Sequence, residues 1–120
     1  LLITNSSTFY IVDWDTLIFA PKEKDLMFIG CGLGGKFLSP NQEESLFYEG
    51  YGQVLINPYA MAYYRFERVI EDLAVSCEHI FSTSKENEDR RQSMEIIKSY
   101  FVENSPLDHA YQYVKKSLNY

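Results

Sequence analysis

The stretch Tyr10-Ile11-Val12-Asp13-Trp14-Asp15 carries an apolar, β-prone run straight into a carboxylate, an aromatic ring and a second carboxylate. Tyr, Ile and Val favour an extended chain. An Asp leaving a buried strand is costly unless its charge is paired or bound to a metal. Mg²⁺ suits such a group, because it takes hard oxygen ligands, usually one or two carboxylates with phosphates and water. The same six residues also read as a strand end whose Asp caps the following turn. Upstream, residues 1–4 form a second β-prone run, separated from residues 8–13 by the turn-forming triplet Asn5-Ser6-Ser7. The two runs predict a hairpin. A lone hairpin is marginal in water, so this one must lie on something larger.

Downstream the pattern changes to helices. After a connector, Pro21 sits where a helix can begin, with residues 22–29 as its body and Gly30 as the stop. Residues 31–38 form a Gly-rich loop with neither the Lys-Ser/Thr ending nor the full spacing of a nucleotide-binding loop. Three further helices share one opening sign, a capping residue followed by Pro at the first helical position. Ser39-Pro40 opens one to about residue 49, with Gly50 as its stop. Asn57-Pro58 opens the longest, to about residue 81, and Ser105-Pro106 opens the last, with Asp108 completing a capping box. Residues 86–102 make the remaining helix. In the long helix Tyr59, Tyr63, Phe66, Ile70, Leu73, Cys77 and Phe81 recur at helical period as one apolar stripe, the face expected to pack, and Met94, Ile97 and Phe101 repeat the pattern. The fold class is mainly α (α+β): a short β-hairpin, then a bundle of about five helices.

At 120 residues the chain has room for one modest core and reads as a single unit, residues 1–15 the hairpin and 22–120 the helical part. A formal net charge of −6 disfavours nucleic acid and anionic lipid and attracts cations. No apolar run is long enough to span a membrane, and no signal peptide precedes the first strand. Cys31 and Cys77 have no metal-site spacing and read as buried free thiols of a reducing compartment, which points to the cytoplasm. The chain opens without Met on an apolar run, as if cut in mid-strand.

The order Leu1-Leu2-Ile3, turn, Tyr10-Ile11-Val12-Asp13-Trp14-Asp15, then Lys24-Asp25-Leu26 resembles the aminoglycoside phosphotransferase and choline kinase family, whose fold is protein-kinase-like. The connector Pro21-Lys22-Glu23-Lys24-Asp25-Leu26 and the helical Tyr63-Tyr64-Arg65-Phe66-Glu67-Arg68 bring it nearest to the spectinomycin phosphotransferase branch. The resemblance implies the C-terminal helical part of the large lobe. It gives Asp13 the role of the kinase Asp-Phe-Gly aspartate, which holds Mg²⁺ on the ATP phosphates, with Trp14 in the aromatic position and Asp15 a second metal contact. It makes Asp25 the residue that braces the catalytic loop, with Met27 standing where the family usually has Ala.

The family's His-x-Asp…Asn loop would lie immediately before Leu1, and the two histidines, His79 and His109, fall in helices. The chain alone is therefore expected to be inactive, part of an enzyme whose missing N-terminal portion supplies the nucleotide lobe and catalytic loop. The resemblance implies transfer of the ATP γ-phosphate to a hydroxyl of a small cationic aminocyclitol or aminoglycoside, an antibiotic-resistance activity. Acidic helix residues attract such a substrate; the candidates are Glu43, Glu44, Glu49, Glu67, Glu71 and Asp72, with Tyr48, Tyr51 and Tyr64 as walls, although Arg68 and Asp72, four apart, also read as a surface pair. Two other readings stay open: a kinase of the same family acting on choline, homoserine or a sugar, and a non-catalytic helical interaction domain.

Overall fold

The computed structural model describes residues 2–5, 8–10, 12, 17–31, 38–82 and 88–118. Strands β1 (Leu2–Ile3) and β2 (Phe9–Tyr10) pair antiparallel, Leu2 opposite Tyr10 and Ile3 opposite Phe9. The Thr4 amide donates to the Thr8 carbonyl at 3.1 Å and closes the turn. The hairpin is thus where the sequence placed it, with two residues in each strand.

Helix α1 (Glu23–Leu26) is shorter than the eight residues expected. After Leu26 the amides reach back three residues rather than four, Ile29 to Leu26 at 3.0 Å and Cys31 to Phe28 at 3.3 Å. Gly30 then takes φ +74°, where a side chain is strained. This tight turn turns the carbonyls of Met27 and Ile29 toward a guanidinium instead of toward helical amides.

The three openings at Pro are all present. Helix α2 (Pro40–Tyr51) starts on a full capping box: Ser39 Oγ accepts from the Gln42 amide and Gln42 Oε1 accepts from the Ser39 amide. It runs through Gly50, the expected stop, and ends instead at Gly52, whose φ is +95° and whose amide bonds the Tyr48 carbonyl at 3.0 Å. Helix α3 (Pro58–Ser82) is capped by Asn57, whose Oδ1 accepts from the amides of Tyr59 and Ala60 at 3.0 and 3.3 Å. Helix α4 (Glu88–Ser99) ends three residues before the expected residue 102. Before helix α5 (Pro106–Leu118), Ser105 Oγ accepts from the Asp108 amide at 3.2 Å. The Asp108 carboxylate reaches past Ser105 to the amide of Asn104, which sits at φ +60°.

Helix α3 is the spine, packing against α1, α4 and α5. Its buried face corrects the expected stripe. Tyr59, Tyr63, Ile70 and Phe81 are 71%, 60%, 65% and 84% exposed, whereas Met61, Ala62, Arg65, Val69, Ser76 and Ile80 are buried. The helical period is as read, but its phase is turned by about one residue. Ala62 and Ser76 on α3, Ser93 on α4 and Ala110 on α5 are buried small residues that let the helix backbones approach closely. Of the aromatics that marked the stripe in sequence, Tyr59, Tyr63 and Phe81 stay exposed and Phe66 is half-buried. The same shift holds in α4, where Ser93 is buried while Met94 and, beyond the helix end, Phe101 are exposed.

A core of Leu26, Met27 and Met61 forms where α1 meets α3, with Phe47, Val54, Ile56, Tyr64 and Tyr113 packed around it. Glu23 is buried there at 3% exposure and accepts the Asn57 amide at 2.8 Å. That bond pins the start of α3 to α1 and holds the Glu23 carboxyl below its ordinary pKa. Cys31 and Cys77 are free thiols, but half-buried rather than fully enclosed. Burial pushes the Cys31 thiol up, and it donates to the Met27 carbonyl.

Candidate functional site

Among the described residues, α2 approaches no other helix closely along its backbone; Phe47 is its link to the core. The space left between α2, the 53–56 linker, α3 and α5 is a cleft of about 770 Å³. Asn41, Glu44, Ser45, Tyr48 and Glu49 line it from α2. Their spacing of three, four, seven and eight residues from Asn41 is that of one helix face, fixed by the cap at Ser39. Tyr113 and Lys116 of α5 form the facing wall, with Met61 and Arg65 of α3 at the base.

The two walls differ in charge, carboxylates from Glu44 and Glu49 on α2 and cations from Arg65 and Lys116 opposite. Phe47 stacks on Tyr51 with ring centroids 5.1 Å apart and meets Tyr48 edge-on at 5.2 Å, so the Tyr48 ring is held in place by its own helix. Partial burial, then the Glu44 charge, pushes the Tyr48 phenol up, and it stays a neutral hydrogen-bonding group at physiological pH.

The residues singled out from sequence separate in space. Glu44 and Tyr48 share the cleft. Glu67 and Asp72 do not line it and are already engaged. Glu67 accepts the Tyr63 hydroxyl at 2.7 Å and pairs with Lys24 at 3.5 Å. Asp72 takes the Arg68 guanidinium at 2.6 Å and the Tyr100 hydroxyl at 2.6 Å. Glu71 is exposed and also outside the cleft lining, and Asp25 is exposed on α1. Asp13 and Asp15 lie outside the described residues. Among the described residues no group of three or more His, Cys, Asp or Glu side chains is placed to hold a metal ion, and no helix is long and apolar enough to cross a membrane.

Arg65 and Tyr113 are cleft residues that the sequence reading did not single out. Arg65 is 8% exposed, and its Nε and Nη2 donate to the Met27 and Ile29 carbonyls at 3.1 and 2.7 Å. Its guanidinium lies over the Tyr113 ring, 4.6 Å from the centroid. A charged residue within the Ala62–Val69 face was the available signal for Arg65. Tyr113, three residues after the fully buried Ala110, carried a weaker one.

The chain aligns over 93% of its length with the crystal structure of spectinomycin phosphotransferase, APH(9)-Ia, in complex with ADP and spectinomycin, at a TM-score of 0.77 and 39% sequence identity. The chain is a structural relative of a phosphotransferase. Its fold is the C-terminal helical part of a kinase-like large lobe. It spans 34% of that enzyme's length, about a third. No protein-family model and no curated protein sequence matches it. The resemblance read from the hairpin and the connector is therefore met in three dimensions along most of the chain.

Proposed function

We propose that this chain is the substrate-holding helical part of an ATP-dependent phosphotransferase that transfers the γ-phosphoryl group to a hydroxyl of a small cationic aminocyclitol of the spectinomycin kind. The observation that carries the reading is the 39% identity, at a TM-score of 0.77, to an enzyme captured with ADP and spectinomycin. The activity belongs to the longer protein, which supplies the nucleotide lobe and the catalytic loop, and the cytoplasm is its place of work.

In this reading Glu44 and Glu49 draw the substrate's ammonium groups to the α2 wall, while Tyr48 and Tyr113 flank its ring. Opposite charge both attracts and orients. Glu67, through its ion pair with Lys24 of α1, and Asp72, through the Tyr100 hydroxyl beyond α4, tie α3 to its neighbours, and Glu71 takes no part. Asp13, with Asp15 beside it, would hold Mg²⁺; hard carboxylate oxygens suit that ion. Bound there, the ion neutralises charge on the ATP phosphates. Asp25 braces the catalytic loop from α1. Catalysis in such enzymes is mostly positioning and charge stabilisation, so the cleft's contribution is orientation.

The test is steady-state kinetics of the full-length protein with ATP and spectinomycin, following ADP release, beside choline and homoserine as competing acceptors. Spectinomycin-dependent ADP formation is expected, with Asp13→Asn lowering kcat on the order of 10²–10³-fold. Glu44→Gln should raise the KM for spectinomycin roughly tenfold, the effect of one lost charge-assisted contact. Turnover of choline or homoserine alone would move the chain to another branch of the family. No ADP release with any acceptor would end the enzymatic reading.

A further inference from the structure

We infer that Arg65 is a positioning residue that sets both walls of the cleft at once, and so determines how tightly the cationic substrate is held. This rests on the reading of the cleft as the substrate site.

Arg65 is a buried cation at the cleft base whose recorded hydrogen bonds go to two backbone carbonyls. Those carbonyls belong to Met27 and Ile29, in the tight turn that ends at Gly30. Gly30 lies directly against α2: a Cβ built on it would stand 3.5 Å from Glu44 Cβ, 3.6 Å from the Pro40 carbonyl and 3.7 Å from Glu44 Oε2. The turn is therefore the surface on which the Glu44 side chain rests, and the guanidinium is what fixes the turn. On its other side the same guanidinium lies over Tyr113, 4.6 Å from the ring centroid, on the opposite wall. The planar fork makes two directed bonds and a stacking contact that an ammonium cannot reproduce. A carboxylate on α2 and an aromatic ring on α5, neither of them bonded to the other, thereby share one anchor.

The experiment compares Arg65→Lys and Gly30→Ala with Glu44→Gln in the full-length protein, measuring kcat and separate KM values for spectinomycin and ATP, with thermal melts alongside. The expected result is a spectinomycin KM raised roughly tenfold in both Arg65→Lys and Gly30→Ala, with the ATP KM unchanged; small displacements of a binding group have effects of this size or larger. A role confined to stability would lower the folded fraction, and hence the apparent kcat, and leave both KM values alone; that result overturns the proposal. Should Arg65→Lys not fold, Gly30→Ala decides, since it moves the same turn while leaving the guanidinium in place. A raised KM in Glu44→Gln alone would leave the cleft as the substrate site and remove Arg65 from its positioning role. If Glu44→Gln itself leaves the spectinomycin KM unchanged, the cleft reading fails first, and the inference with it.

Discussion

Glu23 shows how one side chain can join two elements. Its carboxylate, shut away from solvent, accepts the Asn57 amide, the residue that caps α3. That bond, with Lys22 contributing an ion pair at 3.3 Å, holds the carboxyl below its ordinary value of 4.5. A depressed folded pKa means the carboxylate stabilises the fold above the unfolded value, and the contribution is lost as pH falls through the folded one. Glu23→Gln should therefore destabilise the protein by about 1–2 kcal/mol near neutral pH, the low end for a bond to a charged group. The difference should shrink toward nothing as the solution is taken acidic, below the carboxylate range. Urea melts of both proteins at several pH values measure it, and a difference that grows on acidification would contradict the assignment. None of this was visible in sequence, where Glu23 sits in a charged connector and its partner is 34 residues away. The pair Arg68–Asp72 was legible because helical spacing alone brings its members together. Tyr100, which completes that knot and is pushed up to about 12 by burial and by Asp72, was not.

At the scale of elements, helices that start in the same way differ in how they are held. Helix α3 has a buried face along most of its length and is packed by three neighbours. Helix α2 has no fully buried residue and meets the core through Phe47. Local opening follows the amount of packing that must be broken. Amide hydrogen exchange should therefore be slowest around Met61–Val69 and markedly faster along α2, and the proposed function adds that spectinomycin should raise the protection of α2. Equal protection of the two helices would show that α2 is supported by more than these contacts. The helix starts were legible because capping is a local code, written in Ser39-Pro40, Asn57-Pro58 and Ser105-Pro106. The phase of α3 was not. Periodicity gives the spacing of a face, but with apolar residues all round the helix only the partners decide which face is buried, and here small residues and an arginine won over tyrosines.

Many large apolar side chains of the molecule stand in solvent. Leu17, Ile18 and Phe19 stand in solvent in the connector, Leu55 in the linker, and Tyr59, Ile70 and Phe81 along α3. Exposed patches of this kind mark surfaces that contact other protein, or drive association when nothing covers them. The isolated 120-residue chain should therefore bind a dye specific for exposed apolar surface and self-associate as its concentration rises, both readable by fluorescence and light scattering. A dye-silent monomer at all concentrations would refute this. The candidate site was half legible at this scale. Glu44 and Tyr48 were picked out by charge and ring type, but so were Glu67 and Asp72; the Arg68 partner of Asp72 was legible from spacing, and only the folded chain shows that Lys24, Tyr63 and Tyr100 had claimed those carboxylates too.

The proline-opened helices carry a further consequence, for how such a cleft can change over evolutionary time. Each start is signalled by the two or three residues beside it, with Glu23 holding the Asn57 amide of α3 in addition, and owes nothing to the length of the loop before it. Residues can be inserted into or removed from the 53–56 linker, and α3 will still begin at its own Asn-Pro pair, with Arg65 the same number of turns further on. The mouth of the cleft can thus be widened or narrowed by loop length while the rotation of its lining helices is conserved. The width of the cleft becomes free to drift under selection, and the residues on its lining helices are carried along unchanged.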